Sequence, residues 1–315
     1  LEGAYSIGLL TNKKLIAIKD PLGIRPLVMG ELKGAKIIAS ETCALDIIGA
    51  KYIRDIDNGE IVVMDKNGVK SYKPFNKVHA RPCIFEYIYF ARPDSVMNGK
   101  NVYECRKKMG QQLALELNTK ADIVIPVPDS GVPAALGYSE ASSIPYNLGI
   151  IRNHYVGRTF IEPTQTIRQL GIKLKHNANK SIIQNKRVIL IDDSIVRGTT
   201  AIKIVEMMRN AGATEVHMRI SSPPIKFPDF YGIDTPSINE LIASSNSVEE
   251  IRKLLKLDSL HFLSLDGLYK SMGHKKRNNI NPQYTDHCFT GDYPTSLVDR
   301  DDGALASQLT LLNDK

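Results

Sequence analysis

Short apolar and β-branched runs open the chain. Residues 4–10, 15–19, 36–40 and 60–64 read as strands, parted by Gly, Pro and Asn at Asp20-Pro21-Leu22-Gly23, at Gly30 and at Asn58-Gly59. Residues 42–49 read as one short helix. The unit 1–72 is therefore β-rich and needs a partner layer to cover its sheet. Residues 73–82 mix Pro, Lys and Asn without periodicity and read as a linker. The rhythm then changes. Val102, Cys105, Met109, Leu113 and Leu117 recur at spacings of three or four, one face of a helix. An apolar strand over 121–127 stops at Pro128, and Ala134, Ala135, Tyr138 and Ala141 predict the helix after it.

From there strands and helices alternate. Residues 187–191 form a second apolar strand. Residues 199–211 predict a helix with Ile202, Val205, Met208 and Ala211 on one side and Gly212 as its cap. Residues 214–220 and 260–265 read as strands, and 266–272 as a short helix. Ser237-Ile-Asn-Glu240 and Ser247-Val-Glu-Glu250 have the spacing of capping boxes. Alternation of this kind predicts an α/β domain, a parallel sheet with flanking helices, over 83–273. Residues 274–315 are polar and read as a C-terminal tail.

Composition narrows the class. The 315 residues suit about two domains of roughly 150 each. Apolar residues are 43% and charged residues 24%, which excludes a mainly disordered chain. No apolar stretch is long enough to span a bilayer, and the start lacks the layout of a signal peptide. Four cysteines at 43, 83, 105 and 288 form neither a disulfide framework nor a zinc module, so a cytoplasmic setting is expected. The net charge of +7 favours anionic partners. Its basic residues are dispersed, and no basic helix or aromatic-basic sheet is present, so phosphorylated small molecules are expected rather than nucleic acid.

Chemistry concentrates at Arg187-Val-Ile-Leu-Ile-Asp192-Asp193-Ser194-Ile195-Val196-Arg197-Gly198-Thr199-Thr200. A buried strand ends in two carboxylates, where ligands of open α/β sheets bind. A loop with Gly and hydroxyls then enters a helix, whose first N–H groups suit a phosphate. Paired acids for a diol and a phosphate site one loop further on fit a ribose 5-phosphate. A solvated turn and the acidic pocket of a phospho-acceptor domain are the alternatives. A Walker loop is excluded, since no Gly-Lys-Ser/Thr follows a Gly-rich strand end.

This segment resembles the phosphoribosyl-diphosphate (PRPP) loop of type I phosphoribosyltransferases. Together with Asn153-His-Tyr-Val-Gly-Arg-Thr-Phe160, Glu86-Tyr-Ile-Tyr-Phe-Ala-Arg-Pro-Asp94, Ser40-Glu-Thr-Cys-Ala44 and Tyr231-Gly-Ile-Asp234, it is similar to the glutamine PRPP amidotransferases from Gly3 to about Tyr293. The resemblance implies that Asp192 and Asp193 meet the ribose hydroxyls and a Mg²⁺ environment. Ser194 to Thr200 would cradle the 5-phosphate. Pro128, Asp129, Ser130 and Gly131 would form a pyrophosphate loop, with the Ser130 hydroxyl at the Mg²⁺ site. Arg152, His154, Tyr155, Arg158, Lys173 and Lys175 would belong to a mobile loop closing over PRPP. The implied reaction is attack of ammonia on C1 of PRPP with loss of pyrophosphate, in purine synthesis. Purine nucleotides are expected as inhibitors, and the chain is expected to assemble with copies of itself.

Two departures from the family matter. Its glutaminase half begins with a catalytic Cys at the mature N-terminus, and here residue 1 is Leu. Residues 1–72 resemble only the C-terminal third of that N-terminal-nucleophile domain. The sequence is therefore expected to be N-terminally truncated, either a piece of a longer chain or one that a separate polypeptide completes, dependent on ammonia and without glutaminase activity. Some members also carry an iron–sulfur cluster on four cysteines. Here only Cys83 and Cys288 are available, Asp229 stands at another ligand position, and no cluster is expected. Cys43 and Cys105 read as core residues. A non-catalytic PRPP-binding regulator is the alternative function. A nucleobase phosphoribosyltransferase is a third reading, which would not need the β-rich unit.

Overall fold

The computed structural model describes residues 1–153, 176–233 and 237–297. The first 72 residues fold as two antiparallel sheets. One runs β1 (Ser6–Leu10), β2 (Leu15–Lys19), β6 (Ile61–Asp65), β7 (Gly68–Tyr72), and the other runs β4 (Ala35–Ala39), β3 (Val28–Leu32), β5 (Lys51–Asp55). Helix α1 (Thr42–Ile47) packs Leu45 against Val28 and Ala50. Between the sheets lie Ala17, Leu27, Met29, Ile56, Val62 and Met64. Alternation in β6 explains its register: Val62 and Met64 are buried, and their neighbours are half-buried. Strands β3, β5 and β7 are additions to the sequence expectation. Val28-Met-Gly-Glu-Leu32 is interrupted by Gly30, Lys51-Tyr-Ile-Arg-Asp55 is flanked by charges, and β7 is exposed at every position.

The second unit is built on a parallel sheet in the order β10 (Ile123–Pro126), β13 (Arg187–Asp192), β14 (Glu215–Ile220), β15 (Ser259–Phe262). Two small pairs, β8 (Val96–Met97) with β9 (Lys100–Asn101) and β11 (Ile150–Arg152) with β12 (His176–Ala178), lie outside it. Successive residues of β13 face opposite layers, as strand geometry requires. Ile189 and Ile191 pack with Val124 on the side of α2 (Val102–Glu116) and α3 (Val132–Ser142). Val188 and Leu190 pack with Ile204, Val205 and Met208 on the other side. That layer holds α4 (Lys180–Ile183), α5 (Thr199–Asn210), α6 (Ile242–Ser245) and α7 (Val248–Leu254). Helix α8 (Leu265–Ser271) joins the α2 face. Tyr284, Cys288 and Phe289, the last two in α9 (His287–Thr290), complete the core there, so part of the expected tail is interior.

Three sequence expectations are corrected. Leu117 lies beyond α2 in extended conformation, because the helix stops at Glu116. The buried face of α5 is Ala201, Ile204, Val205 and Met208, which leaves Ile202 only half-buried. Ser247 forms its capping box with Glu250, but Ser237 makes no side-chain cap, because Ile238–Glu240 is a single 3-10 turn leading into extended Leu241. Cys43 and Cys105 are buried as expected. No described helix is long and apolar enough to cross a membrane.

Candidate active site

The carboxyl end of β13 delivers the acid pair. Asp193 is buried and Asp192 half-buried. The Asp193 N–H donates to Asp192 Oδ1 at 2.9 Å, and Ser194 Oγ donates to Asp193 Oδ1 at 2.5 Å. Burial, then the Asp193 carboxylate beside it, push the Asp192 carboxyl well above the usual carboxylate range. Ionising Asp192 is thus unfavourable here unless a cation or hydroxyl donors offset the charge.

The loop after it is shaped by packing. Ile195 is buried, and the Val196 carbonyl accepts from the Ile242 N–H at 2.9 Å. Arg197 Nε donates to Glu240 Oε2 at 2.6 Å on the surface. Gly198 adopts φ +80, a left-handed conformation that glycine tolerates. Helix α5 then starts at Thr199 with no side chain capping it. Its first-turn N–H groups lack intrahelical acceptors, and the helix dipole adds positive potential. An anion is the complementary ligand.

Across the cleft, Pro128–Gly131 turns between β10 and α3. The Pro128–Asp129 peptide is cis. The turn is pinned to β13, since Val127 N–H donates to the Ile191 carbonyl at 2.8 Å and Gly131 N–H to the Val127 carbonyl at 3.0 Å. Asp129 is ion-paired with Arg152 at the end of β11. His154, Tyr155, Arg158, Lys173 and Lys175 lie outside the described residues.

Pro128, Ser130 and the whole run Asp192–Thr200 line one cleft of about 430 Å³. Sequence reasoning assigned no site role to the remainder of its wall. Phe85, Tyr89, Phe90, Ile225 and Ile233 give it an apolar side, and His176, opposite Arg152 in the β11–β12 pair, gives it an imidazole. The Glu86–Asp94 stretch was visible as a family motif, yet nothing in its spacing said that its aromatics face the acid pair.

The cysteine region is a different environment. Cys83 and Cys288 are buried, and burial, with Glu86 nearby, pushes the Cys83 thiol up to about 12. Asp229 Oδ2 accepts the N–H groups of Tyr231 and Ile233, and its Oδ1 lies 2.7 Å from His287 Nε2.

The phosphoribosyl transferase domain family matches residues 94–221. The chain is 57% identical to an amidophosphoribosyltransferase of Rhizobium etli, over 99% of this chain and 64% of that protein. It is 50% identical to the amidophosphoribosyltransferase of Bacillus subtilis, over 94% of this chain and 62% of that one. The solved structure of the glutamine PRPP amidotransferase from B. subtilis, complexed with ADP and GMP, matches with a TM-score of 0.87 at 50% identity. That match covers 94% of this chain and 65% of the B. subtilis chain. The chain thus spans just under two-thirds of the length of these relatives. Sequence and fold are similar to those of the amidophosphoribosyltransferases along nearly the whole of this chain.

Proposed function

We propose that the cleft binds PRPP and transfers its phosphoribosyl group to ammonia, forming 5-phosphoribosylamine and pyrophosphate, the first committed step of purine synthesis. One observation carries the reading: the acid pair, the uncapped start of α5 and the Pro128–Gly131 turn converge on one cleft. Asp192 and Asp193 accept hydrogen bonds from the ribose hydroxyls. The N–H groups at the start of α5, with Ser194, Thr199 and Thr200, hold the 5-phosphate. The Pro128–Gly131 turn receives the diphosphate, and the aromatic wall keeps water from the activated sugar.

The residues fit a Mg²⁺ held jointly with substrate. Asp192, Asp193 and Ser130 bring hard oxygen donors to the same cleft, which suits that ion. Asp192, Asp193 and the Ser130 hydroxyl would supply the protein side, directly or through water, with substrate oxygens completing the shell. Those residues would hold a Mg²⁺ that supplies positive charge opposite the diphosphate.

In this reading residues 83–273 are the transferase domain, residues 1–72 belong to a glutaminase domain, and the cleft takes ammonia as its nucleophile. Purine nucleotides present the same ribose 5-phosphate and so compete at the cleft. The B. subtilis relative was solved in complex with ADP and GMP, which supports purine nucleotides as ligands.

The test is pyrophosphate release from PRPP and Mg²⁺, with ammonium or glutamine supplied separately. Release with ammonium alone is expected. PRPP binding by calorimetry without release would favour the PRPP-binding regulator, and absence of binding would overturn both.

A further inference from the structure

Tyr89 and Phe90 reach the cleft from a five-residue π-helical turn, Glu86–Phe90. Such turns are rare, and they occur often at functional sites. Two arginines clamp this one. From α2, the buried Arg106 donates to the carbonyls of Tyr87 at 2.9 Å and Ala91 at 2.7 Å. A cation there complements the carbonyls at a helix C-terminus. From the β-rich unit, Arg25 forms a 2.9 Å ion pair with Glu86, whose side chain is only 6% exposed. The Arg25 guanidinium carbon also lies 5.3 Å from the centroid of the Phe90 ring, within cation–π range. One side chain therefore grips the first and the last residue of the turn.

Arg25 is itself anchored. The buried Asp20 carboxylate accepts the Ile24 N–H at 3.2 Å, and the Gly23 N–H donates to the Asp20 carbonyl at 3.1 Å. The Leu22 and Ile24 carbonyls accept from Arg81 and Cys83, on the stretch that enters the π turn. Just past the turn, Glu41 of the β-rich unit accepts from the Arg92 N–H at 2.8 Å and from Ser95 Oγ at 2.7 Å. The turn is therefore held to the β-rich unit on both sides.

We propose that Arg25 is a positioning residue for the transferase cleft: through Glu86 and Phe90 it holds the π turn so that Tyr89 and Phe90 stand beside Asp192 and Asp193. The β-rich unit thereby tunes the fit of the phosphoribosyl substrate, although none of its residues lines the cleft. Proximity of Tyr89 to the acid pair has an electrostatic trace, because burial and then the carboxylates of Asp193 and Asp192 hold its phenol above the usual range.

The activity readout rests on the transferase reading; the structural readout does not. In the full chain, Arg25→Met leaves Glu86 buried without its cation, and is expected to lower kcat/KM for PRPP at least tenfold, chiefly through KM. Adding Glu86→Gln removes the orphaned charge, so the double variant is expected to be no worse than Arg25→Met alone. The chain has no Trp, so Tyr89→Trp installs a single tryptophan, which can be excited selectively over the tyrosines, in the wall. In that background Arg25→Met is expected to raise acrylamide quenching at least twofold and to red-shift emission. Wild-type KM in Arg25→Met, additive losses in the double variant, or unchanged quenching with unchanged emission would each overturn the proposal. If the unmodified chain releases no pyrophosphate, the transferase reading fails, and the fluorescence pair still decides the positioning role.

Discussion

A Cβ on Gly131 would stand 2.3 Å from the carbonyl oxygen of Ile191. The Pro128–Gly131 turn and the strand that carries the acid pair are thus in contact at backbone level. The same Cβ would lie 2.9 Å from the Val127 carbonyl oxygen, so no small shift relieves both. Gly131→Ala is expected to displace the turn from β13. Overpacking of this kind costs about 1–3 kcal/mol. Calorimetry should show PRPP affinity reduced at least tenfold, with a lowered Tm.

On the proposed reading, Asp192 trades stability for binding. Its folded-state pKa is raised by burial and by Asp193, so the folded chain holds that proton more tightly than the unfolded chain does. Its contribution to stability is complete below the ordinary carboxylate value of 3.8 and is lost as pH rises through the folded-state value. Asp192→Asn is therefore expected to raise Tm at pH 7 while weakening PRPP binding at least tenfold. The Tm advantage should shrink as pH falls towards 3.8. A variant no more stable than wild type at pH 7 would contradict the assigned cost of charging this buried carboxyl beside Asp193.

Glu60 has the opposite sign. Burial alone would raise its pKa, but hydrogen bonds from Arg54, Ser71 Oγ and the Asp57 N–H overcome that and bring it down to about 2. Its stabilisation is present above 4.5 and lost as pH falls towards 2. Glu60→Gln keeps the shape and removes the charge, leaving Arg54 half-matched. A loss of about 1–3 kcal/mol is expected at pH 7, measured by urea titration, with the deficit vanishing in acid.

These sites differ in how far the chain alone announces them. The strand Arg187–Asp192 is legible because four consecutive apolar residues end in two acids, and burial on both faces demands such a run. The helix from Thr199 is legible from its period, although the buried stripe is set by contact with β13 and β14 rather than by Ile202. Strand β5 carries Lys51, Arg54 and Asp55 because one of its edges and much of its surface are exposed, so alternation is lost. The cap at Ser247 formed and the one at Ser237 did not, although both have the required spacing. Only Val248–Leu254 continues as a helix long enough to use it. The π turn has no local signature. Its carbonyls are satisfied by Arg106, about twenty residues away, and its first residue by Arg25, about sixty residues upstream. Long-range partners of that kind are invisible to any window of sequence.

Gly198 combines two constraints that a pair of substitutions can separate. Its φ of +80 costs an L-residue about 1–2 kcal/mol, whatever surrounds it. A Cβ there would also meet Ile242 Cδ1 at 2.9 Å, the flexible end of a half-buried side chain on α6. Gly198→Ala is therefore expected to misplace the first N–H groups of α5 and to raise KM for PRPP at least tenfold. Adding Ile242→Ala removes the steric part and leaves the conformational part. Partial recovery of KM in the double variant is the expected outcome, measured under ammonium-dependent turnover. Full recovery would mean that contact with Ile242, and not the left-handed backbone, is what requires glycine at the start of α5.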